Sequence, residues 1–544
     1  MAAFHLMPKH RRTSRTFSTV IKNIKRNSAA LLAGALFTLP AIPVHAQELT
    51  LSGVLAARKA ALAALHVHQP KSLEVHGLIF GAGLQGDFHS WMTGGNARFD
   101  ENVGGRSEST LRVGEHEYIV NESGNVRQLH GVLLERQRTE DFIESDGFVT
   151  QPQYDTFAGQ KQLPDGRAVY EIIVAPPDGQ RETLDLDAKT LMIDRISYDE
   201  EDGTSTEDFS EYSHAGGVLV AGREVDSNGD HAFDVAHYVV KMFVDRAIPQ
   251  TVFAVPQTTV VQTDKPVTVP LTQHDGHYYV RAHVGSRDYN LLVDTGAQGV
   301  VLDSHVAAEQ GLRPQGHLEV AGVARTGGLG IAKLGGIQIG GATLPLRTVS
   351  ILDLRGTTGR FDADGVLGYP FFASAEVMID PVGNTMTFAK PGMLHPQGDP
   401  VSVEVDRQLV EIDGKVNGAS GRFLLDTGNS TELLLFSPFM HTHPYLVGFQ
   451  ERRFANNYGI GGESAALSAV VDELDMANYR LFNRYANLMQ TARGAFADRF
   501  DAGNIGMGVL KNFIVTYDLA NARVYMQRDS AFDDGRGRPR YERP

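Results

Sequence analysis

The chain has 544 residues, 42% hydrophobic and 21% charged, the proportions of a folded multidomain protein and not of a disordered or collagen-like one. Its formal charge is −15, and residues 1–46 hold seven Lys and Arg and no acid, so the remainder carries −22. A body that acidic excludes non-specific nucleic-acid binding through phosphate contacts. The absence of cysteine excludes disulfides, thiolate catalysis, Cys-based zinc sites and lipid attachment through an N-terminal Cys.

The basic stretch ending at Arg26, the apolar run SAALLAGALFTLPAI and the small residues Val44 and Ala46 predict an export signal over 1–46. A periplasmic or secreted protein is expected, with an uncleaved anchor as the competing reading. The run from Ala29 to Leu39 is too short to span a bilayer, and no later stretch approaches the roughly 20 apolar residues a spanning helix needs.

Leu51, Leu55, Leu62 and Leu65 recur at helical spacing in LSGVLAARKAALAALHVH. Beyond that helix, segments such as LEVHGLIFGAGLQGDFHSWM and AVYEIIVAPPDGQRETLDLD alternate apolar and polar residues around Gly and Pro-Asp-Gly turns. That pattern predicts an antiparallel sheet with one wet face. The acidic run Asp199–Asp202 reads as a solvated hairpin tip. The stretch from Asp226 to Asp234 has some letters of a calcium loop. His231 stands where its glycine belongs and His237 where its bidentate Glu belongs, so a plain turn is expected. A segment rich in Pro, Thr and Gln from Pro249 to Pro270 reads as a linker or first strand.

The rest of the chain repeats itself. HYYVRAHVGSRDYNLLVDTGAQGVVLD leads to DGVLGYPFFASAEVMID, and QLVEIDGKVNGASGRFLLDTGNSTELLL leads to GNIGMGVLKNFIVTYD. The two Asp-Thr-Gly triplets begin at Asp294 and Asp426, 132 residues apart, each between two apolar strands. Val366-Leu367-Gly368 pairs with Met507-Gly508 before Val509-Leu510, and Ile379-Asp380 with Tyr517-Asp518. A strand–Asp-Thr-Gly–strand unit holds a carboxylate on a tight turn, with glycine admitting close backbone approach and threonine able to bond across to a neighbouring loop. For a lone copy an Asx-type turn would suffice. Two copies in matched context point to paired carboxylates.

Leu292-Val293-Asp294-Thr295-Gly296-Ala297 and Leu424-Leu425-Asp426-Thr427-Gly428 resemble the motif of the retropepsin-like aspartic peptidases, from about residue 270 to 528. The resemblance implies a pseudo-dimeric acid protease acting on polypeptide. Asp294 and Asp426 would be the catalytic dyad, and Thr295, Gly296, Thr427 and Gly428 its support. It implies no cofactor and no metal, in keeping with the lack of an HExxH motif, and a monomer whose two lobes make one site. Asn429, where the family usually has Ala, Ser or Thr, departs from the motif and puts the hydrogen bonds of the second carboxyl in doubt. Gly322–Gly330 and Tyr458–Gly462 are the candidate flaps, with simple hairpin turns as the alternative. Residues 47–255 resemble the periplasmic lipoprotein-carrier half-barrels in pattern, through Ala82-Gly83-Leu84-Gln85-Gly86 and Pro177-Asp178-Gly179. That likeness implies a concavity for a lipid or acyl chain.

The expected fold is therefore mainly β, a curved antiparallel half-barrel with helices followed by two β lobes. The expected divisions are 1–46 signal, 47–255 half-barrel, 256–395 first lobe, 396–529 second lobe and 530–544 disordered tail. The rival function is a non-catalytic envelope protein that binds lipid or peptide in the half-barrel.

Overall fold

The computed structural model describes residues 7–8, 49–231, 233–321, 326–355, 363–448, 452–459 and 462–538. Apart from 7–8, the expected export signal lies outside the described residues. Among them, no helix is long and apolar enough to cross a membrane.

The alternating segments between 72 and 244 form one curved antiparallel sheet, thirteen strands among the described residues. Its edge strand Asp155–Gln162 is exposed at every second residue, the period a pleated strand imposes. The first hairpin, Ser72–Gly81 with Leu84–Thr93, closes on Ala82 and Gly83. Both turn residues have left-handed φ (59° and 68°), the tight turn that suits a twisted hairpin.

The helix Leu51–Ala64 starts at Thr50, whose hydroxyl accepts from the Gly53 N–H at 3.3 Å. Its buried face is Val54, Leu55, Arg58 and Ala61, packed with Ile143, Phe148, Ile172 and Leu184. Leu62 and Leu65 are only half-buried. The face is turned from the leucine row because Arg58 belongs to it. Its guanidinium is satisfied by Asp146 at 2.7 Å and the Leu191 carbonyl at 2.6 Å, so it is buried without loss.

The two later lobes follow one path. In the first, Arg287–Val293 pairs in parallel with Gly365–Leu367, which pairs antiparallel with Val300–Asp303, itself parallel to Thr348–Leu352. In the second, Ala419–Asp426, Gly503–Gly506, Leu433–Leu435 and Tyr479–Met489 take the same four places with the same directions. Each path ends in a long hairpin: Gln315–Ala321 with Thr326–Lys333, and Arg453–Gly459 with Gly462–Met476. The predicted flaps fall at the tips of these hairpins, partly outside the described residues.

A shared sheet joins the lobes through Glu376–Asp380 and Phe513–Asp518, with Val377 opposite Tyr517 and Ile379 opposite Val515. Sequence-matched residues thus exchange partners across a local two-fold. Gly368 and Gly506 each cap the short helix that follows (φ −100° and −98°). Gly506, not Gly508, is therefore the counterpart of Gly368, and the sequence pairing with Met507-Gly508 is corrected by two residues.

The half-barrel touches both lobes. Ala82 and Leu84 of its first hairpin pack with Leu329, Ile331 and Leu352 of the first lobe. Its acidic hairpin reaches the second lobe, and the solvated-tip expectation fails at Glu201, while Asp199 and Asp202 are exposed. Glu201 is buried, and its carboxylate takes a hydrogen bond from Arg407 at 3.0 Å. Arg407 also meets Asp498 (2.7 Å), Asp501 (2.6 Å), Glu411 (3.2 Å) and Asp406 (3.3 Å). Glu201 is buried because it faces a guanidinium, which cannot lose its proton.

Residues 530–538 are packed, against the expected disordered tail. Phe532 stacks on the Phe513 edge at 5.4 Å, the Asp533 carbonyl accepts from Arg484, and Arg538 pairs with Glu432.

Candidate active site

Both triplets sit where a strand of each lobe turns back at the lobe interface. The Thr295 N–H donates to Thr427 Oγ1 at 3.0 Å, and the Thr427 N–H donates to Thr295 Oγ1 at 3.0 Å. Each hydroxyl then donates onward across the interface, Thr295 to the Leu425 carbonyl (2.5 Å) and Thr427 to the Val293 carbonyl (2.9 Å). Four buried bonds lock the turns together, and neither hydroxyl is replaceable by an apolar group without leaving a buried N–H unpaired.

This grip presses each glycine against the opposite carboxyl. A Cβ on Gly296 would lie 2.5 Å from Asp426 Cγ, and one on Gly428 would strike the Asp294 carboxyl. The six residues singled out in the sequence, Asp294, Thr295, Gly296, Asp426, Thr427 and Gly428, thus meet at one place. Both aspartates are fully buried.

Their surroundings differ. Asp294 Oδ1 accepts from the Gly296 N–H at 2.9 Å, while its Oδ2 is shielded from solvent and meets no backbone N–H or amide donor among the described residues. Burial first, and then the Asp426 carboxylate beside it, push Asp294 up to about 8. Asp426 Oδ1 accepts from the N–H groups of Gly428 (2.8 Å) and Asn429 (3.1 Å), and its Oδ2 accepts from the Asn504 amide. The second carboxyl thus accepts from three donors where the first accepts from one.

Asn504 was not foreseen from the sequence. Its amide oxygen accepts from Asn429 Nδ2 at 2.5 Å, and Asn429 Oδ1 in turn accepts from the N–H (2.8 Å) and hydroxyl (2.7 Å) of Thr431. By strand register the first-lobe counterpart of Asn504 is Val366, since Leu424 faces Asn504 as Leu292 faces Val366. The counterpart of Asn429 is Ala297, and both Ala297 and Val366 lie in an apolar cluster. The departure at Asn429 is therefore half of a matched polar pair, and it supports the second carboxyl. The available signal was a lone Asn inside a buried Gly-Asn-Ile-Gly strand, where a polar side chain must have a partner.

His277 also lies close by, at the start of the strand His277–Val284, and burial holds its imidazole below the usual range. On the other side, Gln298 donates from Nε2 to the Arg407 carbonyl at 2.7 Å, linking the first active-site turn to the ion cluster that holds the half-barrel.

Two buried carboxyls on facing turns, one rich in donors and one poor, form a site able to share a proton. Residues 280–371 match the family model of the aspartyl proteases. The match takes in the first triplet, the hairpin beyond it and Gly368, and the second lobe repeats that path. The comparison with curated proteins gives no match. Among solved structures, a putative outer membrane lipoprotein-sorting protein domain from Vibrio parahaemolyticus is similar at 11% identity and TM-score 0.26, over 37% of this chain and 95% of that one. A DUF1329 family protein from Desulfovibrio piger is similar at 14% identity and TM-score 0.27, over 37% and 97%. A LolA superfamily protein from Nitrosomonas europaea is similar at 13% identity and TM-score 0.26, over 38% and 98%.

Proposed function

We propose that the chain is an aspartic-type endopeptidase that is exported to the cell envelope and hydrolyses peptide bonds with water activated between Asp294 and Asp426. The reading rests above all on the reciprocal threonine grip, which brings the two triplets of a single chain into one buried site. In this reading the half-barrel occupies 47–255 and the lobes 256–395 and 396–529, and the chain works as a monomer.

The donor asymmetry assigns the roles. Asp426 is the base, its carboxyl accepting hydrogen bonds from Gly428, Asn429 and Asn504. Asp294 keeps the shared proton, because a second charge in that pocket would be both desolvated and repelled. Asp426 takes a proton from the water as the water oxygen attacks the scissile carbonyl carbon, and Asp294 gives its proton to the carbonyl oxygen. Asp426 then protonates the leaving nitrogen while Asp294 recovers a proton from a hydroxyl of the tetrahedral intermediate. The C–N bond breaks, and both carboxyls return to their starting state. In this reading the two long hairpins are the flaps that cover an extended substrate and exclude water.

The test is cleavage of a denatured protein between pH 3 and 8 by wild type, Asp294→Asn and Asp426→Asn. Loss in both variants supports one pseudo-dimeric site. Folded wild-type protein without activity at any pH would sink the proposal. The rival reading, a binding protein built on the half-barrel, draws on a cavity of about 600 Å³ lined by Ile79, Phe88, Phe99 and Leu133 among others. Its walls also carry many acids, which suits a neutral acyl chain poorly.

A further inference from the structure

The half-barrel cavity contains a site that the peptidase chemistry does not use. The strands Thr204–Ser210, Arg223–Ser227 and Val235–Val244 are neighbours in the sheet, with Glu207 opposite Asp226 and Glu224 opposite His237. Residues two apart on a strand share a face, so these four side chains project from the same face, and all four line the cavity. One ligand atom each from Glu224, Asp226 and His237 lie within 4.8 Å of one another, with His237 Nδ1 3.5 Å from Asp226 Oδ2. His237 Nδ1 and Asp226 Oδ1 are shielded from solvent and have no hydrogen-bond partner among the described residues. The His237 ring is wedged edge-on against Phe88 and Phe99, at 5.7 and 6.3 Å, which fixes its orientation and keeps the pocket low in dielectric.

The cations that line the cavity are engaged elsewhere. Arg106 pairs with Glu108 (2.6 Å) and Glu122 (3.7 Å), and Arg136 with Glu200 and Glu140. The neighbouring Arg223 donates to the Tyr238 hydroxyl at 3.2 Å. A pair of carboxylates with an imidazole, grouped tightly on rigid strands and facing an excess of negative charge, is a donor set waiting for a positive ion.

We propose that Glu224, Asp226 and His237 bind a divalent transition-metal ion of the Zn²⁺ or Mn²⁺ class, with Glu207 as the adjoining carboxylate. The imidazole selects against Ca²⁺ and Mg²⁺, which prefer all-oxygen sets. The calcium-like letters from Asp226 to Asp234 are a hairpin turn, as the sequence predicts. The site arises because the turn returns the chain so that His237 lies across from Glu224. It is remote in function from the dyad and stands whether or not the chain cleaves peptides.

The experiment is calorimetric titration of chelator-treated full-length protein with ZnCl₂ and MnCl₂, paired with thermal unfolding. Wild type takes up one equivalent of at least one of the two metals and its Tm rises. Asp226→Asn and His237→Ala lose affinity about tenfold or more. Without metal, Asp226→Asn melts no lower than wild type, because it relieves repulsion in the cluster, and added metal no longer shifts it. A His441→Ala/His443→Ala variant binds as wild type does. Wild type that takes up neither metal at millimolar concentration overturns the proposal. So do Asp226→Asn and His237→Ala variants that bind undiminished.

Discussion

The two lobes share a strand path, a triplet and a capping glycine, yet they give their aspartates opposite surroundings. The first lobe sets Ala297 and Val366 beside Asp294, and the second sets Asn429 and Asn504 beside Asp426. One carboxyl has a single N–H donor and is driven toward its neutral form, while the other accepts from three donors among the described residues. The lobes also meet the half-barrel differently. The first takes an apolar hairpin tip at Ala82 and Leu84, and the second takes an acidic one at Glu201. The comparison teaches that a repeat fixes geometry and leaves charge free to diverge.

The comparison breaks most severely at the dyad. Asp294→Asn and Asp426→Asn should each lower kcat by about 10²–10⁴-fold, read in a peptide cleavage assay, because the acid and the base act as one unit. Next comes the ionic contact of the second lobe. Arg407→Ala leaves Glu201, Asp498 and Asp501 buried without their cation, and should cost about 3–5 kcal/mol by urea unfolding. Leu84→Ala, its apolar counterpart on the first lobe, should cost about 2–4 kcal/mol in the same measurement.

Asn504→Val makes the second lobe resemble the first and so reduces the electrostatic difference between them. The expected result is a fall in kcat of about tenfold with KM nearly unchanged, as one charge-assisted hydrogen bond is lost from the base. An unchanged kcat would remove Asn504 from the mechanism. The smallest effect, taken per pH unit, is on stability. Asp294 sits at about 8 in the folded chain against an ordinary 3.8, so the folded state holds a proton that the unfolded state releases. Stability therefore falls as pH rises from about 4 to about 8, and Asp294→Asn should flatten that slope by up to about 1.4 kcal/mol per pH unit in denaturation at stepped pH.

The fold and the site were legible in the sequence to different depths. Alternation announced the half-barrel sheet, and the internal repeat announced both lobes and the six triplet residues. Period and repetition are local signals that tertiary context seldom overrides. The role of Asn504 was hidden because it depends on strand register across 78 residues, and composition gives no sign of what a single Asn will face. The burial of Glu201 was hidden for the same reason. An acidic turn reads as solvated unless its partner is known, and Arg407 lies 206 residues away. The turned helix face followed from Arg58, whose charge suggests the surface until Asp146 is seen beside it.

The threonine grip has a consequence for how the site survives dilution. Where two separate copies build one cleft, every residue appears on both sides, and the cleft dissolves as the copies part. Here Thr295 and Thr427 are tethered by the chain between them, so their encounter is intramolecular and independent of protein concentration. A tethered pair is also released from self-identity. An amide can stand behind one aspartate and a valine behind the other, a division of labour that two identical subunits could not encode.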